Sequence, residues 1–155
     1  PTGLLGTIEY CTGQASRPAV NTTPDGVVLA GMMADMVAAG QTHLVMEASS
    51  HALDQHRTAG IEFHVAAFTN LSGDHMDYHG TPEKYLRAKQ RLFEALAAEA
   101  HAVLNRDDPA SETISRACPA QVHWYGLSPL ADLRARIDRI DAAGSRWTLQ
   151  HDRCG

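Results

Sequence analysis

The sequence has few cysteines and no long apolar run. Its three cysteines, Cys11, Cys118 and Cys154, are too few and too far apart for a disulfide or zinc framework, so we expect a reducing cytoplasm. No apolar run approaches the roughly 20 residues of a membrane-spanning helix, and no signal peptide is evident. The sequence therefore predicts neither a membrane protein nor a membrane partner.

A phosphate-binding loop of the form GxxxxGK(S/T) is also absent, so the sequence lacks the usual motif of a complete ATPase. The net charge of −5 gives no general basis for binding nucleic acid. The length of 155 residues and the apolar fraction of 44% predict one globular domain with its own core.

Strand and helix patterns alternate along the chain. Apolar segments predict strands at residues 4–10, 42–46, 63–68, 101–104 and 121–125, and residues 11–18 are predicted to form a loop. Helical spacing predicts helices at residues 24–39, 82–98 and 109–118. From about Asp132, two alternating runs around Gly144 predict a hairpin. We therefore predict an α/β fold with a mostly parallel sheet, crossover helices and a small antiparallel hairpin at the C-terminal end.

Local residues predict where the helices begin and end. Thr23 is a candidate N-cap with Pro24 at the first helical position, and Gly40 ends that helix. Thr81 is the candidate N-cap of the helix that begins at Pro82.

Polar residues follow two of the predicted strands. Glu47 comes directly after the strand at 42–46, and the segment 69–77 follows the strand at 63–68. Ligands of open α/β sheets bind beyond the carboxyl ends of the strands, so these residues are candidates for a site. The alternative is structural, with Glu47 capping a turn and Ser49 and Ser50 capping a short helix.

The segment 74–79 (DHMDYH) contains two aspartates and two histidines. Such density is able to supply metal ligands, but it is also typical of a hydrophilic loop with local hydrogen bonds. We expect surface or core packing for five histidines that stand alone in the sequence: His43, His64, His101, His123 and His151.

Lys89 shares one stripe of its predicted helix with apolar and aromatic residues, namely Tyr85, Leu92, Phe93 and Leu96. A buried ammonium is costly. One interpretation is a snorkelling lysine with a packed stem and an amine at the edge. The other is a lysine neutral enough to react with carbon dioxide, which gives a carbamate anion able to ligate Mg²⁺.

Four segments together resemble the central domain of the Mur ligases: 21–25 (NTTPD), 46–57 (MEASSHALDQHR), 68–93 (FTNLSGDHMDYHGTPEKYLRAKQRLF) and 103–109 (VLNRDDP). The likeness covers nearly the whole chain and is greatest to the family member that adds the third residue of the peptidoglycan stem peptide. It implies a P-loop NTPase-like fold and an ATP-dependent amide-bond ligase. In that family, ATP phosphorylates the terminal carboxylate of UDP-MurNAc-L-Ala-D-Glu, and an amine of a diamino acid attacks the acyl phosphate.

The resemblance also implies roles for individual residues. Glu47 and His75 match Mg²⁺ ligands, and Lys89 matches a carbamylated lysine that completes the metal and catalytic group. Asn70 matches a position near the nucleotide. The matches to contacts of the UDP-MurNAc-dipeptide are Thr22, Thr23, Ser49, Gln55 and Arg57.

The resemblance further implies that residues 1–155 are part of a central domain, without the phosphate loop, the N-terminal uridine-binding domain and the C-terminal ligase domain. We expect such a segment to be inactive alone and able to self-associate. Two alternatives are a metal-dependent hydrolase that turns over without ATP and a non-catalytic binding module.

Overall fold

The computed structural model describes residues 1–13, 15–73 and 75–151. The chain divides into two compact units, Pro1–Ile61 and Glu62–Gly155. In the described part of the chain, no helix is both long enough and apolar enough to cross a membrane.

The first unit is a four-stranded sheet with two helices. Its strands are β1 (Thr2–Leu5), β2 (Glu9–Cys11), β3 (Ser16–Pro18) and β4 (His43–Met46), in the order β3-β2-β1-β4. β1 and β4 are parallel, whereas the other neighbours are antiparallel. The helices are α1 (Gly26–Ala38) and α2 (Ser50–Asp54). The core of this unit consists of Leu5, Tyr10, Leu29, Met32 and Met36.

The single strand predicted at residues 4–10 is wrong, because β1 ends at Leu5 and β2 begins at Glu9. The backbone N–H of Gly6 donates to the carbonyl of Glu9 at 3.1 Å, which closes a turn between the two strands. A glycine inside a strand pattern often marks such a bend. The loop predicted at residues 11–18 is also wrong in part, since it contains β3.

The predicted N-cap of α1 is wrong as well. Asp25 caps this helix, and its carboxylate accepts hydrogen bonds from the N–H groups of Val27 and Val28 at 3.1 Å each. Thr23 is buried, and its hydroxyl donates to the carbonyl of Glu47 at 2.8 Å. A tertiary hydrogen bond therefore occupies the hydroxyl that the local pattern assigned to capping.

The second unit is a five-stranded sheet, mostly parallel, which confirms the predicted fold class. Its strands lie in sequence order and are β5 (Val65–Phe68), β6 (His101–Asn105), β7 (Gln121–Gly126), β8 (Leu133–Asp141) and β9 (Gly144–His151). Neighbours from β5 to β8 are parallel, and β8 and β9 form the predicted antiparallel hairpin. Its helices are α3 (Met76–His79), α4 (Pro82–Glu94) and α5 (Ala110–Ala117).

The core of the second unit lies between the sheet and the helices α4 and α5. Phe68 of β5 meets Phe93 of α4 edge to face, with 6.3 Å between the ring centroids. Leu104 and Ile114 are fully buried in the same cluster. Thr81 caps α4 as predicted, and its hydroxyl accepts from the N–H of Lys84 at 3.3 Å. The helix ends four residues before the predicted end at residue 98, because the chain turns at Ala95 to lead into β6.

Candidate functional site

Glu47 follows β4 directly, and two contacts confine its exposed carboxylate. The Thr7 hydroxyl donates to Oε2 at 2.6 Å. On the other side, a Cβ added to Gly6 would lie 2.9 Å from Oε1, so the glycine leaves room for the carboxylate. The backbone N–H of Glu47 donates to the carbonyl of Leu5 at 2.9 Å, which ties the end of β4 to β1. The carboxylate thus has a defined position beside the β1–β2 turn.

Thr23 and Ser49 link the start of α1 to the start of α2. The Thr23 hydroxyl donates to the carbonyl of Glu47 and accepts from the N–H of Ser49 at 3.0 Å. The Ser49 hydroxyl accepts from the N–H of Ala52 at 3.2 Å and caps α2, as the structural alternative predicted. Both hydroxyls are therefore engaged in holding the chain that surrounds Glu47.

Arg57 is half-buried, and two N–H groups of its guanidinium donate to the same oxygen of Gln55. Its Nε and Nη2 donate to Oε1 of Gln55 at 2.9 and 2.7 Å, and its Nη1 donates to the carbonyl of Thr23 at 2.9 Å. These acceptors are an amide and a carbonyl, both uncharged. Among the residues that the structure describes, no ion pair is recorded for Arg57, so its charge remains able to attract an anion.

The structure brings the predicted substrate residues of the first unit into one hydrogen-bonded cluster with Glu47. Thr22 joins it through its hydroxyl, which lies 3.1 Å from that of Thr7. Thr7 was missed in the sequence, because a single hydroxyl in a turn gives no periodic or spaced pattern. The predicted members of the cluster are Thr22, Thr23, Ser49, Gln55 and Arg57.

His75 belongs to the second unit and has a left-handed backbone, with φ 61° and ψ 27°, at the N-cap of α3. Its ring meets Tyr85 edge to face, with 6.0 Å between centroids. Such conformations in residues other than glycine are uncommon, and they concentrate at functional sites. The preceding residue of the predicted Asp/His motif, Asp74, lies outside the described residues.

Lys89 is half-buried on α4, and its Nζ lies 5.2 Å from the centroid of the Tyr85 ring. Tyr85 and Phe93 of the same stripe are buried, so the stripe predicted from the sequence exists. The side chain is neither fully buried nor fully exposed, which is intermediate between the two interpretations of the sequence.

The segment 76–79 forms the short helix α3, not the hydrophilic loop that was one of the two interpretations of its sequence. His79 is buried, and its ring lies 5.2 Å from that of Tyr85 and 4.8 Å from that of Tyr78. Within residues 1–13, 15–73 and 75–151, no group of three or more His, Cys, Asp or Glu side chains is arranged to hold a metal ion. The buried ring of His79 packs against Tyr85 of α4.

Asn70 is exposed two residues after β5, on a loop that β6 anchors. Asn105 donates to the carbonyl of Thr69 at 2.8 Å, and Asp108 accepts from the N–H of Leu71 at 2.7 Å. No role for Asn105 or Asp108 was predicted from their local sequence. Their signal was the polar run that follows the strand pattern at residues 101–104.

Asp107 holds the turn after β7. Its carboxylate accepts from the N–H groups of Leu127 and Ser128 at 2.6 and 2.9 Å. Gly126 has φ +155°, and a Cβ there would lie 2.6 Å from Asp107 Oδ2. The close approach of this carboxylate therefore requires glycine at position 126.

His101 and His123, which stand apart in the sequence, contact each other on the sheet surface, within the surface packing that was predicted for them. These residues lie on the adjacent strands β6 and β7, with 2.9 Å between Nδ1 of His101 and Nε2 of His123. Two residues that are distant in sequence thus share a hydrogen bond on one face of the sheet.

The chain is similar in sequence to the middle domain of known ligases. The family model of the Mur ligase middle domain matches residues 1–151. The UDP-N-acetylmuramoyl-L-alanyl-D-glutamate–2,6-diaminopimelate ligases of Solibacter usitatus and Halalkalibacterium halodurans are each 44% identical to the chain over 151 residues. The aligned region is 96% of this chain but 31% of each relative, so the chain spans about a third of their length.

Two solved structures have a fold similar to that of the chain. A UDP-N-acetylmuramoyl-L-alanyl-D-glutamate–2,6-diaminopimelate ligase superimposes with a TM-score of 0.78 at 32% identity, over 97% of this chain and 31% of that one. MurF from Acinetobacter baumannii shares the fold, with a TM-score of 0.67 at 18% identity, over 96% of this chain and 32% of that one.

Proposed function

The chain belongs to the Mur ligase middle-domain family, and on that premise we propose that it is the central part of an ATP-dependent ligase that extends UDP-MurNAc-L-Ala-D-Glu. The added residue is a diamino acid, with 2,6-diaminopimelate favoured by the names of its relatives. The observation that carries the proposal is the hydrogen-bonded cluster around Glu47. It gathers the residues that the family resemblance assigns to the UDP-MurNAc-dipeptide.

The proposed reaction has two steps. An oxygen of the D-Glu carboxylate attacks the γ-phosphorus of ATP, and ADP leaves. The amino nitrogen of the diamino acid then attacks the acyl carbon, and phosphate leaves as the amide forms. The phosphoryl step depends on positioning and charge stabilisation.

The proposed Mg²⁺ ligands are Glu47, His75 and Lys89 as its carbamate. The oxygens of the Glu47 carboxylate and of the Lys89 carbamate fit Mg²⁺, which prefers oxygen ligands, and His75 would add one nitrogen. Oε2 of the exposed Glu47 carboxylate receives the Thr7 hydrogen bond, and Oε1 lies against Gly6, where a Cβ would come within 2.9 Å. When bound, Mg²⁺ would offset the repulsion between the triphosphate and the attacking carboxylate.

The remaining side chains would bind and orient the substrates. Arg57 is a planar cation whose Nε and Nη2 already donate hydrogen bonds to Gln55. Its guanidinium is therefore preorganised to bind an anionic group of the UDP-MurNAc-dipeptide. Asn70, exposed after β5, is the proposed contact near the nucleotide.

The test is phosphate release by the full-length ligase that contains this segment. We expect release that requires ATP, Mg²⁺, UDP-MurNAc-L-Ala-D-Glu and a diamino acid together. Lys89→Ala should abolish it, whereas Lys84→Ala, on the exposed face of the same helix, should retain it. Full activity of Lys89→Ala would remove the proposed role of Lys89. Metal-dependent turnover without ATP would instead support the hydrolase alternative.

A second measurement tests for the Lys89 carbamate directly, without relying on activity. Carbon-13 NMR in labelled bicarbonate should give a carbamate signal in the wild-type ligase and none in Lys89→Gln. The same signal in both proteins would contradict the assignment to Lys89.

A further inference from the structure

We propose that Thr7 is a positioning residue that fixes the Glu47 carboxylate and makes the Thr22 hydroxyl a hydrogen-bond acceptor. This inference rests on the proposed function, in which Glu47 ligates Mg²⁺ and Thr22 contacts the UDP-MurNAc-dipeptide. Thr7 lies in the turn between β1 and β2, and its Oγ1 is within hydrogen-bond distance of both Glu47 Oε2 and Thr22 Oγ1.

Counting protons gives the direction of these hydrogen bonds. A threonine hydroxyl has one proton, and an ionised carboxylate only accepts. At 2.6 Å, the Thr7 proton therefore belongs to the bond with Glu47. The 3.1 Å contact between the two threonines then needs the proton of Thr22, so Thr22 donates to Thr7.

This direction determines what Thr22 can recognise. Once its proton is engaged with Thr7, the Thr22 hydroxyl has only lone pairs left for a ligand. A hydroxyl in that state accepts from an N–H or O–H group and repels a carboxylate or phosphate oxygen. The partner of Thr22 is therefore an amide N–H or a sugar hydroxyl of the UDP-MurNAc-dipeptide, and its anionic groups are left to other residues.

The same contacts restrict the rotamers of Glu47. Its backbone is held by the hydrogen bonds to Leu5 and Thr23. Its carboxylate is held on Oε2 by Thr7, and the buried Gly6 lies beside Oε1, where even one methyl group would come within 2.9 Å. A ligand held in one rotamer binds a metal ion without ordering its side chain first.

The variants Thr7→Val and Thr7→Ser, made in the full-length ligase, test the proposal by activity. Thr7→Val removes the donor at nearly constant shape, so the Mg²⁺ concentration for half-maximal rate should rise about ten-fold, the effect of one hydrogen bond to a charged group. Thr7→Ser retains a hydroxyl and should restore most of the difference. Thr2→Val, at the exposed first residue of β1, is the matched control and should behave as wild type. An unchanged Mg²⁺ requirement in Thr7→Val overturns the proposal.

Coupling to Thr22 tests the direction of the hydrogen bonds. In a double-mutant cycle of Thr7→Val and Thr22→Val, the effects on KM for UDP-MurNAc-L-Ala-D-Glu should be non-additive, because each change alters the hydroxyl of the other residue. Additive effects on KM would contradict the proposed series of hydrogen bonds, in which Thr22 donates to Thr7 and Thr7 donates to Glu47.

A readout independent of activity separates this inference from the proposed function. In the 155-residue chain, NMR side-chain couplings of Glu47 should report one dominant rotamer in the wild type and averaged rotamers in Thr7→Val. Gly6→Ala should also displace the Glu47 rotamer while leaving the Thr7 donor present. Identical couplings in wild type and Thr7→Val would refute the positioning role. A wild-type ligase without ATP-dependent turnover would refute the proposed function alone.

Discussion

The hydroxyl of Tyr125 on β7 donates a hydrogen bond of 3.1 Å to the backbone carbonyl of Phe68 on β5. The bond passes over β6, which lies between these two strands in the sheet. Burial raises the pKa of the Tyr125 hydroxyl, and the nearby negative charges of Asp107 and Asp108 raise it further. The neutral phenol is therefore favoured where the loop after β5 begins.

We predict that Tyr125 makes folding sensitive to alkaline pH. Its folded-state pKa is raised, so its contribution to stability is complete below the unfolded value of about 10 and is lost as pH rises through the folded value. The free energy of unfolding, measured with denaturant at about pH 8 and about pH 10.5, should fall more in the wild type than in Tyr125→Phe. Equal losses in both proteins would contradict this assignment.

We predict that Thr148→Val raises the pKa of Asp138. The Thr148 hydroxyl donates to this carboxylate at 2.7 Å and is the main cause of its lowered pKa, with Arg136 contributing. The contribution of Asp138 to stability is present above the unfolded value of about 3.9 and is lost as pH falls through the lowered folded value. An NMR titration of Asp138 should show a raised pKa in Thr148→Val and a nearly unchanged pKa in Thr148→Ser. An unchanged titration in Thr148→Val would rule out the hydroxyl as the cause.

We predict that Phe93→Ala destabilises the chain by about 3–5 kcal/mol, the usual cost of deleting a buried phenyl ring. Phe93 is 2% exposed and belongs to the core of the second unit, where its ring packs against Phe68. Denaturant unfolding measures the loss, and Phe93→Leu should cost less because it refills part of the cavity. A change below about 1 kcal/mol would mean that the site collapses around the cavity.

We predict opposite effects for alanine at two glycines. Gly126→Ala should destabilise by about 1–3 kcal/mol, because φ is +155° and the new Cβ would meet Asp107. Gly31→Ala should stabilise by about 0.5–1 kcal/mol, since Gly31 lies inside α1 with no atom within 4 Å of the new Cβ. Thermal melts of the two variants measure the change in stability. A change of the same sign in both variants would contradict the prediction.

The sequence correctly predicted those helix and strand boundaries that are set by residues adjacent in the chain. Thr81 and Pro82 mark the start of α4 because the cap and the first helical residue are adjacent in the chain. It failed at Thr23, whose hydroxyl makes a tertiary hydrogen bond to the carbonyl of Glu47 while Asp25 caps the helix instead. The turn at Gly6 was missed because the apolar run continues on both sides of it.

The candidate site was predictable to a similar extent. Glu47 was placed correctly at the end of a strand, since the apolar pattern of β4 fixes that end. The degree of burial of Lys89 was not predictable, because helical spacing gives the face of α4 but not the depth of the amine. Thr7 could be found only from contacts across 15 and 40 positions of the chain.

The left-handed backbone at His75 limits which substitutions can isolate the chemistry of its imidazole. Alanine or a β-branched residue at this position would change the conformational preference of the chain as well as remove the ring. Asparagine accepts the left-handed region more readily than most residues, so His75→Asn changes the side chain at the smallest backbone cost. Natural variation at position 75 should therefore be restricted by peptide geometry even in relatives that need no imidazole there.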